Sequence, residues 1–228
     1  MTTTRPISPS DTLADLATSR AGASRVFARH NLDFCCHGQV SLAETCGKKE
    51  IDIDALIGEI EAEERRGDSF ERWDQRPLGE VIDHLLTRFH EPHRQELPRL
   101  CEMAARVEKV HGDKQACPNG LAALLHQLTA ELNLHMQKEE QILFPMIGRG
   151  DGSLATGPIQ VMEQEHVDAG AQLEQIRELT NDHTPPPEAC GTWRALYLGL
   201  AEFERDLMQH VHLENYVLFP RALQAEQP

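Results

Sequence analysis

The sequence predicts an all-α protein, in which a small N-terminal helical domain precedes an up-down-up-down four-helix bundle. Apolar residues recur at helical spacing in four long segments, and no segment of any length shows the two-residue period of a strand. Short connections separate the long segments, which favours antiparallel neighbours. Two of these segments also contain related stretches, His135 to Pro145 and His210 to Pro220. In both, Glu follows His by four residues and Leu-Phe-Pro closes the stretch, which indicates an internally repeated helix pair.

Residues 1–66 predict short helices with breaks between them. The predicted segments are Asp11 to Ala17, Ser24 to His30, a helix opened by a capping box of Ser41 and Glu44, and Asp52 to Arg66. Their apolar content is too small for a large core. We therefore expect this domain to pack on its own bundle or on a second chain, with a slight preference for a homodimer.

Residues 67–75 predict a polar linker, which begins with Gly67-Asp68-Ser69, and residues 76–228 predict the bundle. The expected long helices are Leu78 to His111, Leu121 to Ile147, Gly157 to Asn181 and Glu188 to Ala225. Pro92 and Pro98 fall inside the first of them. Because proline lacks a backbone donor and crowds the preceding turn, a kink near residue 90 is expected.

Composition and charge exclude several classes of function. The net charge of -15 argues against nucleic acid and anionic membranes as direct partners. No run approaches the roughly 20 apolar residues needed to span a bilayer. The N-terminus has no apolar segment typical of a signal peptide, so the expected compartment is the cytoplasm. Thiols stay reduced there, and the six cysteines are not interpreted as a disulfide framework.

The histidines of the bundle can be sorted by angle. Residues four apart on a helix lie nearly above one another, about 6 Å along the axis, so His135 pairs with Glu139 and His210 with Glu214. In the first helix His84 is flanked by apolar residues and is the expected inward histidine. In the third helix His166 is the candidate.

The other histidines are expected elsewhere. At about 100° per residue, His90 and His93 are turned about 240° and 180° away from His84, which predicts surface positions in their charged surroundings. His212 is turned about 200° from His210 and should face away from it. His126 has no carboxylate four residues on and is interpreted as structural.

The remaining set is four imidazoles and two carboxylates, which is typical of a two-metal site in a bundle core. Carboxylates can bridge two metals, while imidazoles complete the coordination. His and carboxylate ligands with open positions suit iron or manganese better than structural zinc, which prefers closed thiolate-rich tetrahedra.

Long motifs in the chain resemble the Repair of Iron Centres family of YtfE and ScdA proteins, most of all its YtfE branch. The motifs are His135 to Ile147, Gly157 to His166, Thr184 to Cys190, and His212 to Ala222, together with the Asp33 to Cys36 turn. The resemblance covers the whole chain. It implies a hemerythrin-like bundle in a cytoplasmic protein.

The resemblance also implies a function and a set of functional residues. Such proteins restore iron-sulfur clusters damaged by nitric oxide or peroxide, by iron delivery and/or nitric oxide reduction at a centre of two non-haem irons. Damaged iron-sulfur proteins are the implied iron acceptors, and nitric oxide or oxygen the small ligand. The implied metal ligands are His84, His135, Glu139, His166, His210 and Glu214. Glu131 and Glu165 match family glutamates near the centre, and Cys35 and Cys36 match a pair assigned to redox chemistry or iron passage.

Two positions depart from the family pattern. His37 stands where Gly usually follows the cysteine pair, so an imidazole is available to lower a thiol pKa or to supply a ligand. Val167 stands where Asp usually follows the ligand histidine. If that Asp orients His166, this chain lacks one supporting contact.

Other classes of function remain open. A nitric oxide or oxygen sensor or carrier of hemerythrin type is the main alternative, but the first helix offers no clear extra histidine and a carrier does not need the cysteine pair. A ferritin-like oxidase calls for repeated Glu-x-x-His motifs, and only Glu163 to His166 fits among the chosen histidines. A helical adaptor without metal is the simplest alternative.

Overall fold

The computed structural model describes residues 5–66 and 70–224, most of which are helical. Within these ranges there is no strand, and the only extended pairing is an isolated bridge between Thr12 and Ser41. The predicted all-α class is confirmed. Gly67-Asp68-Ser69, the predicted start of the linker, lies outside the described residues. None of the described helices has the length and apolar character needed to cross a membrane.

Four short helices form the N-terminal part: α1 (Leu13–Ser19), α2 (Ala23–Arg29), α3 (Leu42–Lys49) and α4 (Ile53–Arg65). Side chains of Thr12, Ser41 and Asp52 accept backbone N–H groups at the starts of α1, α3 and α4. These caps satisfy donors that the first turn leaves without helical partners. The predicted helix start at Ser41 is therefore found.

The described residues fall into two compact units, one made of those within 1–77 together with 208–220, and one made of those within 78–207 together with 221–224. In the first unit α1 packs on α2, and α2 and α3 pack on α4. Glu214–Leu218 packs on α1 and on the short 3₁₀ helix Trp73–Gln75. The small N-terminal core thus gains apolar surface from the same chain. The predicted domains, residues 1–66 and 76–228, place residues 208–220 with the bundle and not with the N-terminal helices. These boundaries stay a prediction.

The second unit contains most of the four long helices. Three of these helices combine α-helix with a five-residue π segment. The first consists of α5 (Leu78–Leu85), Leu86–His90 and α6 (Glu91–His111); the second of α7 (Leu121–Lys138), Glu139–Leu143 and α8 (Phe144–Gly148); the third is α9 (Thr156–Thr180); and the fourth consists of α10 (Gly191–Leu213), Glu214–Leu218 and α11 (Phe219–Gln224). A second 3₁₀ helix, Gly152–Leu154, precedes α9. The four predicted helical segments are all present, with ends shifted by a few residues.

Within the second unit these helices pack as neighbours in a bundle. α6 packs on α7, and α7 packs on α9. The ring of Phe203 in α10 lies 5.2 Å from that of His93 in α6, measured between ring centroids. Arg88 also donates two hydrogen bonds to Asp206, at 3.0 and 2.9 Å. Helix α10 therefore lies against the first long helix as well as following α9 in the chain.

Each π segment precedes a proline. Glu91, Phe144 and Phe219 donate their N–H groups to the carbonyls five residues earlier, and Pro92, Pro145 and Pro220 come next. Because proline cannot donate, the regular four-residue bond is lost at its position and the helix widens into a π turn. The irregularity predicted near residue 90 is this π segment. The two Leu-Phe-Pro stretches do not end their helices, because α8 and α11 continue beyond Pro145 and Pro220, as the predicted helix ends near Ile147 and Ala225 require.

A buried carboxylate closes the loop between α9 and α10. Asn181, Asp182 and His183 all have positive φ, at 50°, 51° and 55°, a conformation that costs about 1 kcal/mol or more per non-glycine residue. Glu204, which is 7% exposed, accepts hydrogen bonds from Arg177 and from His183 Nε2, the latter at 2.6 Å. Burial tends to raise the pKa of Glu204, but these two partners outweigh it and hold the pKa below its usual range. The ion pairs offset the strain of the loop.

Replacing Glu204 with Gln should lower the free energy of unfolding by about 3 kcal/mol at neutral pH, because Arg177 loses a buried partner. A lowered pKa stabilises the fold above the ordinary glutamate range, and this contribution disappears as the pH falls below about 4. Urea unfolding between pH 7 and about pH 3 should therefore show a steeper loss of stability below pH 4 for the natural chain than for Glu204→Gln. Glu202→Gln, at an exposed position on the same helix, is the control. Equal pH dependence in all three proteins would contradict this role.

Candidate metal centre

The second unit places two histidines on one buried carboxylate. Glu139 is fully buried at the first position of its π segment. Its Oε2 lies 3.5 Å from His90 Nε2 and 3.4 Å from His135 Nε2. His90 is the last residue of the first π segment, and His135 lies one turn before Glu139. Both histidines therefore direct the same ring nitrogen toward the same oxygen.

A second pair of imidazoles meets beside this carboxylate. The Nε2 atoms of His135 and His166 are 3.1 Å apart, and both rings are buried. Two nitrogens bound to one ion at about 2.1 Å, with an angle near 90°, are separated by about 3 Å. The observed separation fits two ligands of one metal ion.

Carboxylates on the outer nitrogens set the tautomer of two rings. Glu140 accepts from His90 Nδ1 at 2.8 Å and from Arg94 at 2.7 Å. Glu165 accepts from His135 Nδ1 at 3.0 Å and is also paired with Lys138. A proton held at Nδ1 leaves the Nε2 lone pair available, which is the usual arrangement of metal-binding histidines. Burial tends to raise the pKa of Glu140 and of Glu165, but these partners keep both pKa values below the usual range.

The fourth long helix supplies a further pair. His210 and Glu214 are both fully buried, and His210 Nε2 lies 3.0 Å from Glu214 Oε1. Glu214 is the first residue of its π segment, as Glu139 is of its own. The two side chains are in contact, as their spacing of four residues requires, and their role as metal ligands stays a prediction.

Across the described residues, His and carboxylate donor atoms form two groups of four. His90, Glu139, His210 and Glu214 make one group, and His135, Glu139, His166 and Glu214 make the other, with all donor atoms of a group within 4.8 Å of one another. Both carboxylates belong to both groups. Imidazole and carboxylate donors in this number suit a pair of iron or manganese ions.

Five of the six predicted site residues belong to these groups, and His84 does not. His84 is half-buried with its ring against Phe89, and His90 occupies the place expected for it. The angles expected for His90 and His93 hold for a regular α-helix from His84 onward, but the π segment Leu86–His90 fits more residues into a turn and changes the direction of every later side chain. The expected surface positions of His90 and His93 are also wrong, because these residues are 0% and 2% exposed.

Other sequence-based expectations have mixed outcomes. Glu165 contacts His135, whereas Glu131 is exposed, accepts from Gln127 and Gln172, and joins neither group. Val167 is 39% exposed, so a carboxylate at this position would not lie in the buried core beside the His166 ring. The inference that Val167 removes a contact to His166 is therefore not supported.

The cysteine turn forms a third group of donors, separate from the first two. Side-chain atoms of Asp33, Cys35 and Cys36 lie within 4.8 Å of one another. His212, expected to face away from His210, joins neither His/Glu group and has its own buried environment: Nδ1 contacts the Phe34 carbonyl at 3.2 Å and Nε2 contacts Thr18 at 3.1 Å. Burial lowers the pKa of His212 to about 4, so its ring is neutral at pH 7.

Comparisons with known proteins match both parts of the chain. Residues 81–222 match the model of the hemerythrin HHE cation binding domain, and residues 9–64 match a domain of unknown function, DUF542. An iron-sulfur cluster repair protein YtfE of Yersinia pseudotuberculosis serotype O:1b (strain IP 31758) is 52% identical over 214 residues, which are 94% of this chain and 97% of the relative. The protein of the same name from Yersinia pestis (strain Pestoides F) is 51% identical over the same shares.

Two single substitutions test the placement of the first-helix histidine. We expect His90→Ala to lose most of the bound iron after anaerobic iron loading, because it removes a donor from one group, and His84→Ala to keep it. Iron per chain, measured by a chelator assay on folded protein, distinguishes the two. Retained iron in His90→Ala together with lost iron in His84→Ala would show that His84, and not His90, is the ligand from the first helix.

Proposed function

Because the chain belongs to the hemerythrin HHE cation-binding family and to the family of YtfE iron-sulfur cluster repair proteins, we propose that it repairs iron-sulfur clusters damaged by nitrosative or oxidative stress. Repair would proceed by iron delivery and/or nitric oxide reduction. The observation that supports this function best is the pair of His/Glu groups sharing Glu139 and Glu214. A shared pair of carboxylates is what a centre of two metals requires.

The proposed metal ligands are His90, His135, Glu139, His166, His210 and Glu214. His90 with His210 would hold one iron and His135 with His166 the other, while the two glutamates belong to both. Bound ferrous iron would supply open coordination positions for nitric oxide or oxygen and the electrons for their reduction. The protein side chains would hold the two irons close to each other, and the carboxylates at Nδ1 of His90 and His135 favour the tautomer whose Nε2 lone pair faces the donor groups.

Glu140 and Glu165 have a positioning role in this proposal. Their side chains are 29% and 32% exposed, whereas Glu139 is fully buried. They hold the Nδ1 protons of His90 and His135 on the outward side of each ring. Arg94 and Lys138 in turn keep both carboxylates ionised and oriented. An iron-donating protein must also release its metal, and these partly exposed contacts are the ones that solvent reaches.

We further propose that the protein acts in the cytoplasm on damaged iron-sulfur proteins, and that it forms a homodimer. The net charge of -15 disfavours nucleic acid as a partner. A sensor or carrier of nitric oxide or oxygen is the alternative function. It would use the same two groups without transfer of iron to an acceptor.

Removing an orienting carboxylate should weaken iron binding without removing a ligand. We expect Glu140→Gln and Glu165→Gln to bind iron about 10- to 100-fold more weakly, in line with other outer contacts of metal ligands. Competition with a chelator of known affinity measures this change. Glu91→Gln, an exposed neighbour in the first helix, is the control and should bind iron as the natural chain does. Equal affinity in all four proteins would exclude the positioning role.

Iron transfer separates repair from sensing. The protein purified without oxygen should contain nearly two irons per chain, and His135→Ala and Glu214→Ala much less. The iron-loaded protein should restore activity to an iron-sulfur enzyme whose cluster nitric oxide has damaged, and both variants should fail. Unchanged iron in the variants would refute the proposed ligands. Normal iron content without restored enzyme and without nitric oxide consumption would favour the sensor.

A further inference from the structure

The Asp33 side chain organises the cysteine turn. Its Oδ1 accepts the backbone N–H groups of Cys35 and Cys36, at 3.1 and 2.8 Å, and the thiol of Cys35 at 3.3 Å. Its Oδ2 lies 2.6 Å from Nδ1 of His37. One carboxylate thus brings two thiols and an imidazole to the same small region.

Three side chains of the fourth long helix bind backbone atoms of this turn. His212 contacts the Phe34 carbonyl, Asn215 donates to the Cys35 carbonyl at 2.8 Å, and the Tyr216 hydroxyl accepts from Gly38 N at 2.9 Å. The donor atoms are therefore held in place by the fold itself. A ligand bound there costs little conformational entropy, because the turn is already ordered.

The distance between the sulfurs decides between two chemistries. Cys35 Sγ and Cys36 Sγ are 3.7 Å apart. A disulfide requires about 2.05 Å. Two thiolates on one tetrahedral ion, each about 2.3 Å from it, are separated by about 3.7 Å. The turn therefore has the spacing of a metal site, and a disulfide would require the sulfurs to move together.

We propose that Asp33, Cys35 and Cys36 form a second metal site, which binds one thiophilic divalent cation such as zinc or ferrous iron, and that the neighbouring His37 ring turns in as a fourth donor when the ion binds. Two thiolates with carboxylate and imidazole donors select such ions over magnesium and calcium. Both thiols release their protons to solvent when the ion binds, and no electrons are transferred. The His37 ring lies outside the group of converging donor atoms, and because its side chain is 69% exposed it has room to rotate and bind the ion from the solvent side. The site is independent of the His/Glu groups and of the proposed repair function.

Cobalt is the probe, because a cobalt–thiolate bond gives a near-ultraviolet charge-transfer band that nitrogen and oxygen ligands do not. The full-length, iron-loaded protein is titrated with Co²⁺ without oxygen. We expect the band to saturate at one equivalent and to disappear when Zn²⁺ is added. Cys36→Ser should lose most of the band, and His37→Gly should weaken cobalt binding at least tenfold.

The control is Cys190→Ser, because Cys190 is exposed and its sulfur lies 3.2 Å from His111 Nε2, yet it has neither a second thiol nor a carboxylate in a donor group. It should leave the band unchanged. Circular dichroism confirms that each variant is folded, and His37→Gly alters only an exposed side chain. Absence of a saturating band, a band that survives Cys36→Ser in the folded protein, or a band lost in Cys190→Ser would overturn the proposal. Iron content of the His/Glu groups, measured in the same samples, reports separately on the proposed function.

Discussion

Two carboxylates that are fully removed from water constrain the rest of this molecule. Glu139 and Glu214 are both 0% exposed. Transfer of an ionised carboxylate out of water costs several kcal/mol even after relaxation, unless cations or strong donors compensate. The described helices surround these side chains with imidazoles whose Nε2 atoms point inward. Cations bound between these imidazoles and carboxylates would compensate the negative charge of the two buried glutamates. This requirement explains why so many histidines of the bundle are buried.

The backbone is adapted to the same requirement. Three of the four long helices widen into a π segment where they carry a site residue: at His90, Glu139 and Glu214. A proline just beyond each segment removes the donor that would keep the helix regular. The extra residue changes the direction in which the side chain points without ending the helix. The Leu-Phe-Pro repeat therefore has a function in aiming Glu139 and Glu214, and not only in packing.

The sequence was sufficient for the helical class, the four long segments and five of the six residues in the donor groups. Pairs such as His135 with Glu139 were predictable because they lie within one regular turn before the widening begins. His90 was missed because a π segment separates it from His84, and hydrophobic spacing does not reveal such a segment. The proline after each site residue was the available signal, since all three π segments share it. The environment of His212 depends on residues almost 180 positions away in the chain, such as Phe34, and no local pattern could predict that contact.

The last long helix has consequences for how this chain can be divided. Residues 208–220 belong to the same compact unit as residues 1–77, although they lie far apart in sequence. His212, Asn215 and Tyr216 bind the turn of the cysteines, and they alternate along the chain with His210 and Glu214. A division of the gene between the two family matches would therefore separate parts of one core. The same short stretch carries two residues of the His/Glu groups and three residues that contact the cysteine turn. A substitution there that improves one of these two sites therefore also has to preserve the other.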